Sequence, residues 1–151
     1  MIVRRFLLWA RTANAEARAN GAAALAGAYL RSGMADDDRA EAETALISLI
    51  DDPSPRVRRA IAEEMASAPR APRNLVLGLI ADQSDVAALV LAHSPVLTEA
   101  DLVDAAAIGD ILAQRAIAMR LHLPAGVCAA LAEVGGDEAL VTLAGNRTAD
   151  I

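Results

Sequence analysis

One feature constrains the fold of this chain more than any other: an aliphatic pattern that returns at nearly constant spacing. Aligning VRRAIA (57–62), VAALVL (86–91), AQRAIA (113–118) and LVTLAG (140–145) separates the starts by 29, 27 and 27 residues. A second column runs upstream: Leu46 with Ile50, Leu75 with Leu79, Leu102 with Ala106, and Val127 with Leu131. Each pair is spaced i, i+4, which makes one apolar stripe on a helix. From the second member to the next anchor is 7, 7, 7 and 9 residues. Two columns at one period predict units of two short helices.

The residues between the columns agree. Asp52, Asp82, Asp110 and Asp137 precede the anchors, and aspartate favours helix starts because its carboxylate accepts the free amides of the first turn. Ser54 followed by Pro55 is a helix-start signal. Thr98 with Asp101 has the spacing of a capping box, and Pro72 and Pro124 open further helices. Helix pairs this short cannot bury both apolar faces alone, so neighbours must stack. The expectation is an all-α chain: a short α-solenoid of about four HEAT-like repeats over residues 36–151, within a single domain of 1–151. Residues 1–35 fall outside the register. VRRFLLWARTANAEARA and AAALAGAYLRS read as one or two capping helices, with Phe6, Trp9 and Tyr29 closing the open end of the core. Asp36 to Asp38 suit a helix N-terminus without any metal.

Composition narrows the classes. Thirty-seven alanines make helix the expectation throughout, although LISLI and LVLGLI pass for strands in isolation. No apolar run approaches the roughly 20 residues of a membrane span. Arg11 interrupts the short apolar run near the amino terminus, which argues against a signal peptide, and a cytoplasmic location is expected. The formal net charge of −6 argues against non-specific nucleic-acid binding. All fourteen basic residues are arginine, and Cys128 is the single cysteine, which excludes an internal disulfide and a cysteine-built zinc site.

LIDDPSPRVRRAIAEEMA resembles HEAT-like and leucine-rich-variant repeats, in which an aspartate turn precedes Val-Arg and an apolar helix. LIADQSDVAALVLAHSPVLTEADLV, QRAIAMRLHLPAGVCAAL and LAGNRTADI together resemble a bacterial domain-of-unknown-function family built from such repeats. The resemblance covers about residues 40 to 151 and implies no activity, cofactor or catalytic residue. In that family the module usually begins a longer chain. HEAT-type repeats imply that Asp52 or Asp82 pairs with Arg58. Later units place Ala87, Gln114 and Val141 in the Arg58 column, so at most one or two rungs of an Asp–Arg ladder are expected.

Three arginines, Arg56, Arg58 and Arg59, stand where a helix begins, the end least favourable to cations. Val57, Ala60, Ile61, Met65 and Ala68 take the buried stripe of helix 55–68, leaving Arg56, Arg59 and Glu63 outward. Arg70 and Arg73 follow, whereas residues 74–114 hold no arginine and six acids. The expectation is a non-catalytic protein-interaction or regulatory module. Arg56, Arg59, Arg70 and Arg73 would steer an acidic segment of a partner protein toward it, and homo-oligomerisation is a further option. The alternative is a nucleic-acid-binding, DNA-repair type of helical repeat, for which the repeat region lacks stacking aromatics and a sustained basic stripe. His93 and His122 read as residues at helix C-termini, and Cys128 as a small buried side chain. The glycines of VGGDEAL read as a turn. No metal, cofactor or membrane partner is expected.

Overall fold

The computed structural model describes residues 2–151. Among them the chain forms ten helices and no strand. These are α1 (Ile2–Ala10), α2 (Ala15–Arg31), α3 (Asp36–Leu49), α4 (Pro55–Met65), α5 (Arg73–Ile80), α6 (Ser84–His93), α7 (Glu99–Ile108), α8 (Ile111–Ala118), α9 (Ala125–Val134) and α10 (Asp137–Gly145). None is long and apolar enough to cross a membrane.

Local chemistry sets the ends. Thr98 and Asp101 form a reciprocal capping box at α7, and the Asp110 carboxylate accepts from the Ala113 amide at 3.0 Å. Each satisfies a first-turn donor that would otherwise be unpaired. The amino-terminal stretch forms two helices, and the break falls inside VRRFLLWARTANAEARA. Asn14 caps α2 by accepting from the Ala17 amide at 2.8 Å, so the helices divide at residues 11–14 and Gly21 stays helical. Gly21 is where α1 comes close: a Cβ there would stand 2.7 Å from the Trp9 ring. The acidic triplet Asp36–Asp38 forms the first turn of α3.

Packing follows the two columns. Leu46, Leu75, Leu79, Ala106, Val127 and Leu131 are fully buried on the odd-numbered helices, as are Val57, Ile61, Met65, Val86, Val90 and Ile117 on the even-numbered ones. The last unit departs by one residue. Leu140 is exposed, and Ala139 with Leu143 faces the core instead, consistent with the longer gap of 9 before it. The even helices pack in succession, α2 on α4, α4 on α6, α6 on α8 and α8 on α10. In the odd row α1 packs on α3, α3 on α5, and α7 on α9, whereas α5 and α7 barely touch.

The N-terminal pair joins both rows: α1 packs on α3, and α2 makes its main contact with α4. Tyr29 is buried there and Phe6 half-buried, but Trp9 is 43% exposed. Trp9 therefore does not close the core. With Val3, Phe6, Leu25, Ala28 and Met34 it lines an open, largely apolar cleft of about 560 Å³.

Candidate functional site

Where α5 and α7 part, the surface opens into a cleft of about 490 Å³. Its floor is aliphatic: Leu91 and Ala105 are buried, and Leu77 and Ile80 stand on the α5 side. Helix α7 turns one stripe toward it, Asp101, Asp104, Ala105 and Ile108, which is the i, i+3, i+4, i+7 spacing of a single face. Ile108 is 88% exposed. Asp82, Ser84 and Asp110 complete the rim.

The rim carboxylates differ in what holds them. Asp101 takes both ends of Arg73, at 2.9 Å each, so α5 and α7 are bridged across the cleft by a guanidinium rather than by packing. The Arg73 hydrogen bonds, opposed by burial and helped by the Thr98 amide and hydroxyl, bring the Asp101 pKa down to about 2. Asp110 is lowered by the Ser84 hydroxyl and by the Ala113 amide. Asp82 accepts from Arg58 Nε at 2.7 Å. Asp104 is exposed and has no partner among the described residues.

A depressed carboxylate stabilises the fold above its unfolded pKa and loses that contribution as pH falls through the folded one. For Asp101 the loss therefore falls between about pH 4 and pH 2. Full conversion of the depression is about 2 kcal/mol, which the solvent-exposed Arg73 reduces to about 1 kcal/mol. Asp101→Asn is expected to remove that acid-side decline in urea-unfolding free energy, while costing about 1 kcal/mol at neutral pH.

The four arginines expected to form a docking patch divide. Arg59 donates to Glu63 at 3.1 Å and lies 3.7 Å from Asp85, and Arg73 is held by Asp101. Arg56 on α4 and Arg70 in the following turn are exposed, with no hydrogen-bond or ion-pair partner among the described residues. Arg58 answers the question raised by its position. It donates to Asp82 of the next turn and to the Asp52 carbonyl at 2.7 Å, tying the start of one even helix to the next.

A second rung takes the Asp52 carboxylate, which the resemblance offered to Arg58, and pairs it with an arginine outside the register instead. Arg18 on α2 chelates Asp52 through Nε at 2.9 Å and Nη2 at 3.0 Å, and donates to the Ala13 carbonyl at 2.8 Å. Burial alone would raise the Asp52 pKa, but the Arg18 hydrogen bonds and the Ser54 amide bring it below the ordinary value. Further on, buried Gln114 takes over the role. Its amide donates to the carbonyls of Ala106 (3.1 Å) and Val134 (3.4 Å), and its oxygen accepts from the Gly136 amide.

The opposite ends of the even helices are linked too. Arg120 reaches back to the carbonyls of Leu91 and Ser94, at 2.7 Å each. Asn146 reaches the carbonyls of Ala118 and Arg120 at 2.8 and 2.7 Å. Burial lowers the Arg120 pKa, yet guanidinium remains charged at any physiological pH. Neither Arg120 nor Asn146 was singled out by the sequence reading; the signal was their place just after an apolar helix. His93 ends α6 and is exposed. His122 lies beyond α8 in a turn, with φ of 55°, rather than on a helix end. The Cys128 thiol is buried, and burial raises its pKa, which makes it a poor nucleophile. Among the described residues no group of three or more His, Cys, Asp or Glu side chains has the arrangement to hold a metal.

Residues 86–151 match the profile of a bacterial family described as "Uncharacterised protein conserved in bacteria (DUF2336)". The match begins at Val86 on α6, inside the 40–151 range of the expected resemblance. No curated protein and no solved structure matches the chain.

Proposed function

We propose that this chain is a non-catalytic protein-interaction module, a short α-solenoid of HEAT-like helical hairpins that holds a segment of a partner protein on its surface. Row-by-row packing of the even helices and the recurring bonds at both of their ends support the repeat architecture. The observation that carries the function is the α5–α7 cleft, with its aliphatic floor and carboxylate rim. Apolar area supplies attraction, and fixed charge at the edge supplies orientation and selectivity. Asp101 is already neutralised by Arg73. The rim carboxylates left to meet a cation are therefore Asp104, exposed and without a partner among the described residues, and Asp110, which is held ionised by the Ser84 hydroxyl and the Ala113 amide. Arg56 in the first turn of α4 and Arg70 in the turn after it are exposed cations outside the cleft.

Fluorescence anisotropy tests this reading with two labelled probes: a peptide carrying arginine and leucine at helical spacing, and a duplex oligonucleotide. The peptide is expected to bind in the micromolar range, and Asp104→Arg combined with Ile108→Glu to weaken it by about tenfold or more. Preferential binding of the oligonucleotide at low salt would transfer the chain to the nucleic-acid class.

A further inference from the structure

Helix α1 presents a face that its own fold leaves uncovered. Arg4 and Leu8 lie at i and i+4 on it and Arg11 follows in the turn after it, and all three are exposed, with Leu8 at 56%. Arg5 and Trp9 flank them, both exposed. The inner side of the same helix, Val3, Phe6 and Leu7, packs on the core. No acidic residue precedes Glu16, so α1 and the turn after it carry three uncompensated arginines in a chain whose net charge is −6. Residues 74–114 are the reverse: six acids and neither lysine nor arginine. Their cleft presents Asp101, Asp104 and Ile108 along one stripe of α7.

The two surfaces match in sign, in apolar content and in length. Arg4 to Leu8 on α1 and Asp104 to Ile108 on α7 are each spaced i, i+4, about 6 Å of helix, so the two charged-apolar pairs run equally far. We infer that the α5–α7 cleft receives the outward face of α1 from a second copy of this chain. Leu8 and Trp9 seat against Ile80 and Ile108, Arg4 faces Asp104, and Arg11 faces Asp110 at the other end of the rim. The inference rests on the reading of the cleft as a recognition site and names its occupant. Because donor and acceptor surfaces differ, the contact is heterologous, and each copy has one of each left to offer. Short chains of molecules, rather than a closed dimer, are the expected product. With few side chains buried, the contact belongs to the small, transient class of interfaces.

Sedimentation velocity on the whole chain across a wide concentration range, with emission from the single tryptophan, tests this. Average mass is expected to rise with concentration while Trp9 emission moves to the blue, and both responses are expected to weaken as salt is added. Arg4→Glu with Arg11→Glu, or Asp104→Arg alone, is expected to reduce association by about tenfold or more. All three substitutions sit on exposed side chains, and circular dichroism checks that each variant is folded. A chain carrying both reversals is expected to recover association. A chain that stays monomeric while its cleft binds the cationic peptide overturns the inference and leaves the recognition reading standing. Monomeric behaviour with no peptide binding overturns both. Association indifferent to the reversals, or a monomer whose α1 arginines act only in binding anionic vesicles, also overturns the inference.

Discussion

Replacing Arg120 with alanine is expected to cost about 3 kcal/mol of unfolding free energy. The guanidinium spans two carbonyl oxygens, those of Leu91 and Ser94, and both residues are essentially inaccessible to water. Deleting the side chain strands two buried acceptors, and each carries a desolvation penalty of about 1–3 kcal/mol. Lysine is expected to recover less than half of the loss, because a single ammonium on a flexible stem does not reproduce the planar fork that reaches both carbonyls. Urea unfolding of the three proteins measures this directly. Equal stability of the alanine variant and the parent would show that the turn after α6 is held by something else.

Gln114→Glu is expected to be at least as damaging, and in a pH-dependent way. The glutamine works because it is donor and acceptor at once, giving its amide to two carbonyls and its oxygen to the Gly136 amide. An ionised carboxylate can only accept. At neutral pH it would face the Ala106 and Val134 oxygens in a buried site, at a cost of about 3 kcal/mol or more. Protonation restores a donor, so burial and the two carbonyls raise the folded-state pKa of the new acid. A raised folded pKa favours the native state below the unfolded value and loses that contribution as pH rises through the folded one. The variant is therefore expected to lie closest to the parent near pH 4 and furthest from it above neutrality. Unfolding curves at several pH values that show a constant difference would contradict the assigned hydrogen-bond polarity.

These two side chains also show what the sequence made legible. The aliphatic columns exposed the helices because burial of one face leaves a periodic record, and Leu75 with Leu79 or Val127 with Leu131 are buried as the pattern required. Caps were readable for the same reason, since the Thr98–Asp101 box is a purely local interaction. Longer-range bonds left no such record. Arg18 stood outside the period because α2 and α3 run to 17 and 14 residues while the later helices have 8–11. A ladder that repeats in space was thus stretched in sequence. Gln114 looked like a gap in an arginine column, yet it performs the same linking through backbone groups. The cleft was invisible beforehand, because it arises from two helices failing to meet, and no single residue announces that. The acidic run over 74–114 was visible, but only the structure puts Ile108 and Asp104 on one face beside it.

The arginine cluster was the reverse case. Five arginines within residues 56–73 read as a patch, and composition alone cannot tell a free cation from a paired one. Arg58 and Arg73 turn out to bind the aspartates of following turns, and their charge is largely spent inside the molecule. Arg56 and Arg70 retain theirs. The recognition proposed for this chain would therefore rest more on the free carboxylate of Asp104 and on exposed aliphatic side chains than on the arginine cluster.

The cleft between α5 and α7 is the center of this account, and backbone amide NMR during titration with the arginine–leucine peptide tests it most directly. The largest shifts are expected on Leu77, Ile80, Asp104 and Ile108, with the signals of α9 and α10 unmoved. Shifts concentrated on Arg56 and Arg70, or spread evenly over the acidic surface, would contradict it.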